Sequence, residues 1–378
     1  MQDIMLRDFI VETFQWLHAH PELSYEEQAT TAKLKELLQK EQVKILNLPL
    51  PTGLVAEIGE KNTPLVALRA DIDALPIDEE TELSYASQTK GKMHACGHDF
   101  HTAALLGAAV LLKEKEKELP GRVRLVFQPA EEAPGGAKKI LDTGALKNTK
   151  VIFALHTSPL YPVGTLGLSP GAVMGAVDSF KVIFSGKGCH AAHPNEGRDI
   201  IPLVAQFISA LQTIVSRNSN PFAANLVSVT KVTAGNTWNV LPETAELEGT
   251  TRSLTVEDRE LIKTRFLALA QGLAKAFGAE VEVVWKAGPP PTINDETWTK
   301  LAATVAQEDG FVLEKATPSL GGEDFAYYQE KIPGVFIKVG TGLSAPQHSS
   351  KFIADPAALF PAARLLARLA EKALGVLP

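Results

Sequence analysis

The stretch HACGHDFH, residues 94–101, is the segment around which the rest of the chain is predicted to be arranged. It places three imidazoles, one thiol and one carboxylate within eight residues, in a chain that has nine histidines and two cysteines in total. Gly97 can provide a turn that lets Cys96 and His98 converge on one metal ion or on two adjacent ions. A polar loop rich in histidine is the alternative for so short a motif. The density of ligand side chains favours a metal site.

The overall composition is typical of a soluble globular protein and argues against several other classes of protein. The chain has 378 residues, more than one ordinary hydrophobic core accommodates, so two domains are expected. A net charge of -7 argues against a nucleic-acid surface and gives no indication of a membrane partner. The first residues lack the apolar run of a secretory signal, and two cysteines do not make a disulfide framework. A cytoplasmic location is expected.

Two helices and two strands are predicted before the HACGHDFH stretch. Apolar residues at helical spacing predict a first helix that ends before Pro21. Ser24-Tyr25-Glu26-Glu27 has the pattern of a capping box, which predicts a second helix that runs to about residue 40. Apolar runs with β-branched residues then predict strands at 53–58 and 64–70.

Acidic or imidazole side chains follow several predicted strands. After HACGHDFH, residues 102–113 are predicted to be helical, and strands are predicted at 122–127 and 151–155. In open α/β sheets, ligands collect beyond the carboxyl ends of the strands. The side chains that follow strands, and that we therefore expect to meet in space, are Asp71, Asp73, Glu131, Glu132 and His156.

The pattern changes near residues 171–175 and predicts an inserted domain. The elements that follow read strand, helix, strand, strand, helix, strand, which is the ferredoxin-like order. Their predicted ranges are 179–185, 199–217, 224–233, 244–251, 256–277 and 280–285. Such a unit covers one face of its sheet with helices and leaves an edge strand that can pair with a second copy. It is therefore a candidate dimerisation domain.

The predicted fold is an α/β catalytic domain, with a central sheet between helices, interrupted by this ferredoxin-like lid or dimerisation domain. Gly288-Pro289-Pro290-Pro291 is predicted to be the return linker. Two further helices and one strand are predicted after it, at 295–309, 355–374 and 334–339. The expected domains are residues 1–175 and 289–378 for the catalytic part and residues 176–288 for the insertion.

Within the histidine-rich stretch, Cys96 and His98 are the strongest candidate ligands. A thiolate beside an imidazole suits zinc and other late first-row metals. His94, His101 and Asp99 are either ligands or groups that orient the ligands through hydrogen bonds.

The dipeptide Glu131-Glu132 offers two carboxylates at one strand end. Two solvated surface acids are the usual interpretation of such a pair. At the end of an extended strand, however, adjacent side chains point in different directions, so one carboxylate can bind metal while the other moves a proton. The predicted strand-end position of His156 makes it a stronger candidate ligand than a histidine elsewhere. Composition alone does not select His348 as a ligand.

Several motifs together resemble one known family. They are HACGHDFHTA, RADIDALP, FQPAEE, the strand-end His156, and the stretches at 186–194, 238–252 (WNVLPETAELEGTTR) and 321–328 (GGEDFAYY). These motifs are similar to those of the aminoacylase and carboxypeptidase family of dinuclear metallohydrolases. The closer resemblance is to its amidohydrolase branch, which includes N-acyl-amino-acid amidohydrolases, hippurate hydrolases, auxin-conjugate hydrolases and N-acetyl-diaminopimelate deacetylases.

The resemblance implies a role for each matching position. Glu131 would be the general base, and His190 would match the transition-state histidine that reaches the partner's active site in related dimers. Asn239 and Arg252 match positions associated with substrate. The residues implied to bind a pair of divalent metal ions are Cys96, His98, Glu132, His156 and His348.

Two departures from the family pattern are visible. Cys189 precedes His190 where glycine is common, and Ser349-Ser350 follow His348 where proline or a second histidine often stands. The first bears on how His190 approaches its target, and the second bears on the loop around the last implied ligand.

The implied activity is hydrolysis of N-acyl-L-amino acids, most simply N-acetyl ones, to a carboxylic acid and a free amino acid. Metal-activated hydroxide would attack the amide carbonyl while Glu131 takes the proton and later delivers it to the leaving amine. Zinc, manganese, cobalt and nickel all remain open, and a homodimer through the lid domain is implied. The alternatives are a dipeptidase or carboxypeptidase with the same site, a catalytically silent binding protein, and a purely structural metal site.

Overall fold

The structure, a computed structural model, describes residues 3–61 and 64–377 and divides into two compact units. The first unit comprises the chain up to Gly171, Ile293–Thr317 and the chain from Asp324 onward. The second unit comprises Ala172–Thr292 and Pro318–Glu323.

The α-helices arise from segments that are either amphipathic or apolar nearly all round. In the described residues they are α1 (Asp3–Ala19), α2 (Gln28–Lys40), α3 (His98–Glu114), α4 (Gly136–Asp142), α5 (Ile200–Thr213), α6 (Val256–Phe277), α7 (Glu296–Glu308), α8 (Ala326–Gln329) and α9 (Leu359–Val376). Alanine and leucine dominate α3, and nearly all of its residues are buried. A helix that is apolar on all sides belongs in a core, so α3 is the central helix of the first unit.

The strands range from long buried runs to short pairs that carry no sequence periodicity. They are β1 (Lys44–Ile45), β2 (Leu54–Ile58), β3 (Leu65–Asp71), β4 (Arg122–Gln128), β5 (Ile152–Ser158), β6 (Thr165–Gly167), β7 (Gly171–Met174), β8 (Ala176–Ser185), β9 (Cys189–His190), β10 (Asn225–Ala234), β11 (Val240–Leu241), β12 (Thr244–Ser253), β13 (Glu280–Ala287), β14 (Thr292–Asn294), β15 (Val312–Glu314) and β16 (Gly334–Gly340).

The first unit is built on a mixed sheet with the strand order β1-β2-β4-β3-β5-β16-β6-β15. The adjacent strands β4, β3, β5 and β16 run parallel to one another. Their carboxyl ends therefore lie at one edge of the sheet, at Gln128, Asp71, Ser158 and Gly340. This edge is where an α/β sheet collects ligand-binding side chains.

Helices flank this sheet, as the sequence predicts. α3 packs between α1 and α9 and contacts β3, while α4 contacts β4 and α8. Gly107 lets the helices approach closely, because a Cβ atom there would lie 2.4 Å from Ile10 Cδ1 and 2.9 Å from Ala363 Cβ. The predicted α/β class with a central sheet between helices is confirmed.

The second unit contains an antiparallel sheet with the strand order β10-β12-β8-β13. Together with α5 and α6 this gives the strand and helix order predicted for the insertion. Its core is rich in aromatic side chains, including Phe180, Phe184, Phe207 and Phe266. The expected insertion, 176–288, lies within this unit.

The second unit also includes Pro318–Glu323, which sequence analysis places in the catalytic domain. Backbone hydrogen bonds explain the difference, because Ser319 N–H donates to Val173 O (3.0 Å) and Gly175 N–H donates to Gly321 O (2.9 Å). A pairing between segments so far apart in sequence leaves no local signal.

One helical segment, Ile200–Asn218, is long and apolar enough to cross a membrane by length and composition alone. Within the second unit, its residues Leu203, Phe207 and Leu211 are buried in the hydrophobic core. Core helices meet the same criterion, so this feature is weak evidence for a membrane span.

Three local predictions were wrong. The capping box at Ser24–Glu27 does not form: Ser24 Oγ donates to Asp73 Oδ2 (2.6 Å), and the Glu22 carboxylate instead accepts from Ala29 N–H and Thr30 N–H at the start of α2. Helix α3 begins at His98 rather than at residue 102. His156 lies inside β5, two residues before its end, rather than after the strand.

Candidate active site and metal centre

Five side chains from distant parts of the first unit converge at the carboxyl edge of its sheet. Cys96 Sγ lies 3.6 Å from His156 Nε2, and Glu132 Oε1 lies 3.2 Å from His348 Nε2 and 3.9 Å from His98 Nε2. We call these five residues the ligand cluster. Their donor atoms form two sets, Cys96 with His98 and His156, and Cys96 with Glu132 and His348, and within each set all atoms lie within 4.8 Å of one another. Cys96 is common to both of these sets, and a further set of donor atoms joins His98 with Glu131 and Glu132.

The ligand cluster fits late first-row divalent metals. His98 Nε2 is buried and has no hydrogen-bond partner among the described residues. A buried polar atom without a hydrogen bond is costly in a folded protein, and metal coordination removes that cost. Imidazole, thiolate and carboxylate donors together suit zinc, cobalt, nickel and manganese.

The electrostatics of the cluster also point to a cation. Burial raises the pKa of Cys96 to about 12, so the thiolate that binds metal needs a positive charge beside it at neutral pH. Burial alone would lower the pKa of His98, but the charge of Asp71 and the neighbouring side chains of Asp73 and Cys96 raise it well above its usual value. Burial and the neighbouring His101 hold the pKa of His156 well below its usual value.

Gly97 sets the direction of Cys96 and His98. It has φ +84° and lies at the N-terminal end of α3, so His98 belongs to the first helical turn and Cys96 to the loop before it. A Cβ atom on Gly97 would lie 2.6 Å from Thr157 Cγ2. Glycine is therefore needed there both for its backbone angle and for the close approach of β5.

A strained turn after β4 leads into the two glutamates, Glu131 and Glu132. Ala130 is fully buried and has φ +51°, which is uncommon for a residue with a side chain. Its N–H donates to Glu27 Oε1 (2.8 Å). The carboxylate of Asp73 then accepts from the N–H groups of both Glu131 and Glu132, at 3.0 Å each. The direction of each glutamate is thus set by the backbone.

Hydrogen bonds orient two imidazoles of the cluster. His98 Nδ1 donates to the Asp73 carbonyl (2.9 Å), which leaves Nε2 facing Glu132. His156 Nδ1 lies 2.9 Å from Thr157 O and 3.0 Å from Gln347 Nε2, which leaves its Nε2 facing Cys96. Partners of this kind fix the ring orientation of metal-binding histidines.

The structure shows different contacts for the three residues of the histidine-rich stretch whose role the sequence leaves open. His101 Nδ1 donates to Asp71 Oδ1 (2.6 Å), and its Nε2 accepts from Thr157 N–H (2.8 Å). Both ring nitrogens are used, so His101 braces β5 beside His156 rather than facing the cluster. Asp99 accepts from His18 Nδ1 (2.6 Å). His94 is buried, and neither of its nitrogens has a hydrogen-bond partner in the described residues.

The loop that carries His348 is held at two points. His348 has φ +65°, and its N–H donates to the carbonyl of Ala95 in the histidine-rich stretch (2.8 Å). Ser350 O accepts from Glu80 N–H (2.8 Å), and Ser350 Oγ donates to Glu80 Oε2 (2.9 Å). The unusual Ser349-Ser350 sequence therefore contributes an anchor to this loop.

Three other predicted site residues belong to the second unit. His190 is exposed, pairs with Val240 between β9 and β11, and lies near Asn239, whose carbonyl accepts from Ala191 N–H (3.0 Å). Arg252 is partly buried on β12, and burial lowers its pKa. Within this unit the structure brings His190 and Asn239 together.

Several residues around the cluster were missed by sequence analysis. They are His18, Arg69, Gln128, Asp324 and Gln347. Arg69 carries a signal that was available: a charged side chain stands in the middle of an otherwise apolar strand, which requires a buried partner. His18 and Gln347 have no such signal, because polar residues in a helix or loop are common.

Comparisons with known proteins assign the class. Residues 67–372 match the model of Peptidase family M20/M25/M40. An N-acetylcysteine deacetylase of Bacillus subtilis is 46% identical over 356 residues, which is 94% of each chain. An N-acetyl-L-cysteine deacetylase of the same organism is 48% identical over 359 residues, covering 95% of this chain and 86% of the other.

A solved structure gives the same result. A Bacillus subtilis protein described as a dinuclear metal-binding peptidase of the M20 family superposes with a TM-score of 0.91 at 42% identity, covering 99% of this chain and 100% of that one. The chain belongs to Peptidase family M20/M25/M40, and it is a hydrolase of that family. The predicted family is confirmed.

Proposed function

We propose that this protein is a dinuclear metal-dependent amidohydrolase that releases the acyl group, in the first place acetyl, from N-acyl-L-amino acids. The observation that carries the proposal is the ligand cluster, in which two sets of donor atoms share Cys96. The two deacetylases that are 46% and 48% identical support an N-acetyl amino acid as substrate.

The ligand cluster would hold two divalent ions. When bound, such ions supply Lewis acidity, which lowers the pKa of water to about 7 and polarises a carbonyl oxygen. The thiolate favours zinc, whereas the carboxylate tolerates manganese or cobalt.

Glu131 is the general base in this proposal. Its carboxylate is on the residue next to the Glu132 ligand, and both directions are set by the same Asp73 carboxylate. Glu131 Oε1 accepts from Asp324 N–H (3.2 Å), which helps to hold the carboxylate that would take a proton from water and return it to the leaving amine.

The second unit would supply the remaining groups. The exposed imidazole of His190 would donate to the developing oxyanion, and Asn239 and Arg252 would bind substrate, Arg252 through a bidentate contact to its carboxylate. The open edges of the second unit's sheet support a homodimer, with His190 acting in the partner's site. The proposed location is cytoplasmic.

A dipeptidase or carboxypeptidase is the second candidate. It is favoured by the peptidase description of the M20 structure that superposes over nearly the whole chain. Both reactions cleave an amide bond next to an amino-acid carboxylate, so the ligand cluster and Glu131 would serve either one.

Substrate and metal can be tested together. Metal-stripped protein is assayed on N-acetyl, N-benzoyl and N-indoleacetyl amino acids and on unblocked dipeptides, with zinc, manganese, cobalt or nickel returned singly. The proposal expects N-acetyl amino acids to be hydrolysed only after metal is returned. Hydrolysis of dipeptides alone would establish the second candidate, and no hydrolysis by protein with bound metal would contradict both.

A further inference from the structure

The first unit contains a buried arginine, Arg69, which is not part of the ligand cluster but supports residues beside it. Arg69 is in the middle of β3, and its side chain has no exposed surface. Its Nη1 donates to Asp71 Oδ2 (2.6 Å), its Nη2 to Asp324 Oδ1 (2.9 Å) and its Nε to Gln128 Oε1 (2.9 Å). All three edges of the guanidinium are used, each by a different segment of the chain.

The acceptors of Arg69 are themselves bound on their other sides. Gln128 Nε2 donates to both carboxylate oxygens of Asp324 (2.9 and 2.8 Å), and Tyr328 Oη donates to Gln128 Oε1 (2.9 Å). The N–H of Ala137 completes the set around Asp324 Oδ2 (2.9 Å). Buried charges persist in a protein when they are paired and hydrogen-bonded in this way.

The two carboxylates that Arg69 holds each lead to the candidate active site. On one side Asp71 accepts from His101, which in turn accepts the N–H of Thr157, the neighbour of the ligand His156. On the other side the N–H of Asp324 donates to Glu131 Oε1 (3.2 Å). One guanidinium therefore connects the support of a metal ligand to the support of the general base.

We propose that Arg69 is a positioning residue, whose contacts to Asp71 and Asp324 set the metal ligand His156 and the base Glu131 relative to each other. The inference rests on the proposed function for its kinetic consequence, whereas its consequence for metal binding does not depend on the substrate. Lysine cannot replace arginine here, because a single ammonium does not present three donor directions in one plane.

The test compares Arg69→Lys with Arg122→Lys. Arg122 is a matched control, because it lies on the neighbouring strand β4 and also pairs with a buried carboxylate, that of Glu57 (2.9 Å), far from the cluster in its strand. Each protein is stripped of metal and titrated with cobalt(II), and the visible spectrum and dissociation constant are recorded. kcat and KM for an N-acetyl amino acid are measured on the same samples, with thermal unfolding as a check on the fold.

Arg69→Lys is expected to change the cobalt spectrum and to lower cobalt affinity or kcat by about 10–100-fold, with KM nearly unchanged. Arg122→Lys is expected to behave as the wild type. If Arg69→Lys lowers the melting temperature but leaves the spectrum, the affinity and kcat of the folded protein unchanged, Arg69 is only structural and the inference is overturned.

Two further outcomes of this test also have a defined meaning for the inference. If the wild type does not hydrolyse N-acyl amino acids but Arg69→Lys alters cobalt binding, the proposed function fails while the positioning role for the metal site stands. If Arg69→Lys does not fold, the same measurements on Asp324→Asn decide, since this variant removes one anion and keeps the N–H that faces Glu131. A wild-type cobalt spectrum and kcat in Asp324→Asn would then overturn the inference.

Discussion

The two units treat polar side chains in opposite ways. In the first unit, histidines, carboxylates and an arginine are buried at the carboxyl edge of the sheet, and several of them, such as His18, Arg69 and His101, have two or more hydrogen-bond partners. In the second unit the core is mainly aromatic and aliphatic, and the predicted functional residue His190 is exposed. In the first unit, buried hydrogen bonds and ion pairs thus hold a polar site in place. The second unit instead presents its predicted functional side chains on a sheet that apolar packing stabilises.

This difference predicts how substitutions will divide. Changes to the ligand cluster or to the residues that orient its members should affect stability, metal content and activity together, because the same hydrogen bonds serve all three. Changes at the exposed residues of the second unit should affect activity alone. The following variants test that division, beginning with the one that should have the largest effect.

Asp178→Asn tests a buried charged residue in the second unit, which is an exception to its mainly apolar core. The buried Asp178 forms a salt bridge with Arg259 and accepts from Trp285 Nε1 (3.1 Å) and Gly288 N–H (3.2 Å). Breaking a buried pair should lower the free energy of unfolding by about 3–5 kcal/mol. Metal content should stay the same. Chemical denaturation and metal analysis check this, with Glu246→Gln on the partly exposed pair to Lys181 as a control that should cost about 1 kcal/mol or less.

Gly97→Ala should damage the first unit at its most constrained turn. Both the positive φ and the contact with Thr157 oppose a side chain, with a combined cost of about 2–5 kcal/mol. Metal affinity should fall as well, because Cys96 and His98 flank this residue. Gly91→Ala separates the two causes, since Gly91 has φ +76° but nothing within 4 Å of its Cβ position. Equal losses of stability and metal in both variants would contradict this account.

His190→Ala should affect catalysis without affecting the fold. Removing one donor to an oxyanion typically lowers kcat by about 10²–10³-fold. Because the side chain is exposed, the melting temperature and the metal content should match the wild type. Mixing this variant with Glu131→Gln, under conditions where subunits exchange, should restore activity if His190 acts in the partner's site. Proven exchange without recovery would refute that arrangement.

The pH dependence of stability offers a smaller test of the buried charges in the first unit. Burial opposes the charged form of His18, yet hydrogen bonds and charges from Asp99 and Glu79 raise its pKa from 6.5 to about 10. Its stabilising charge is therefore fully present below pH 6.5 and is lost as the pH rises through about 10. Between these limits the free energy of unfolding should fall more steeply in the wild type than in His18→Gln. Denaturation across this range would contradict the account if both proteins had the same slope.

Much of the fold could be predicted because its long elements carry strong periodicity. The strands and helices of the second unit follow the predicted order, and β3, β4 and β16 lie close to their predicted ranges. Short elements were missed, since β6 and β15 have three residues each and show no repeat. The start of α3 was missed because its first turn consists of ligand-type residues, which read as a loop.

The candidate site was predictable where side chains stand near strand ends or match family motifs, as for Glu131, Glu132 and His156. Its supports were less accessible, because they depend on pairing between distant segments. The Ser24 hydroxyl gives the local pattern of a helix cap, yet it binds Asp73. Asp324 becomes a partner of Arg69 only after the chain has folded, 255 residues further along.

The most direct test of the central claim compares Glu131→Gln with Glu132→Gln. Bound metal per subunit and kcat are measured for both variants and for the wild type. Glu131→Gln should keep its metal while kcat falls by at least about 10²–10⁴-fold, the usual contribution of general acid/base catalysis. Glu132→Gln should lose metal. If Glu131→Gln loses metal and Glu132→Gln keeps it, the roles of the two glutamates are reversed and the account of the site is contradicted.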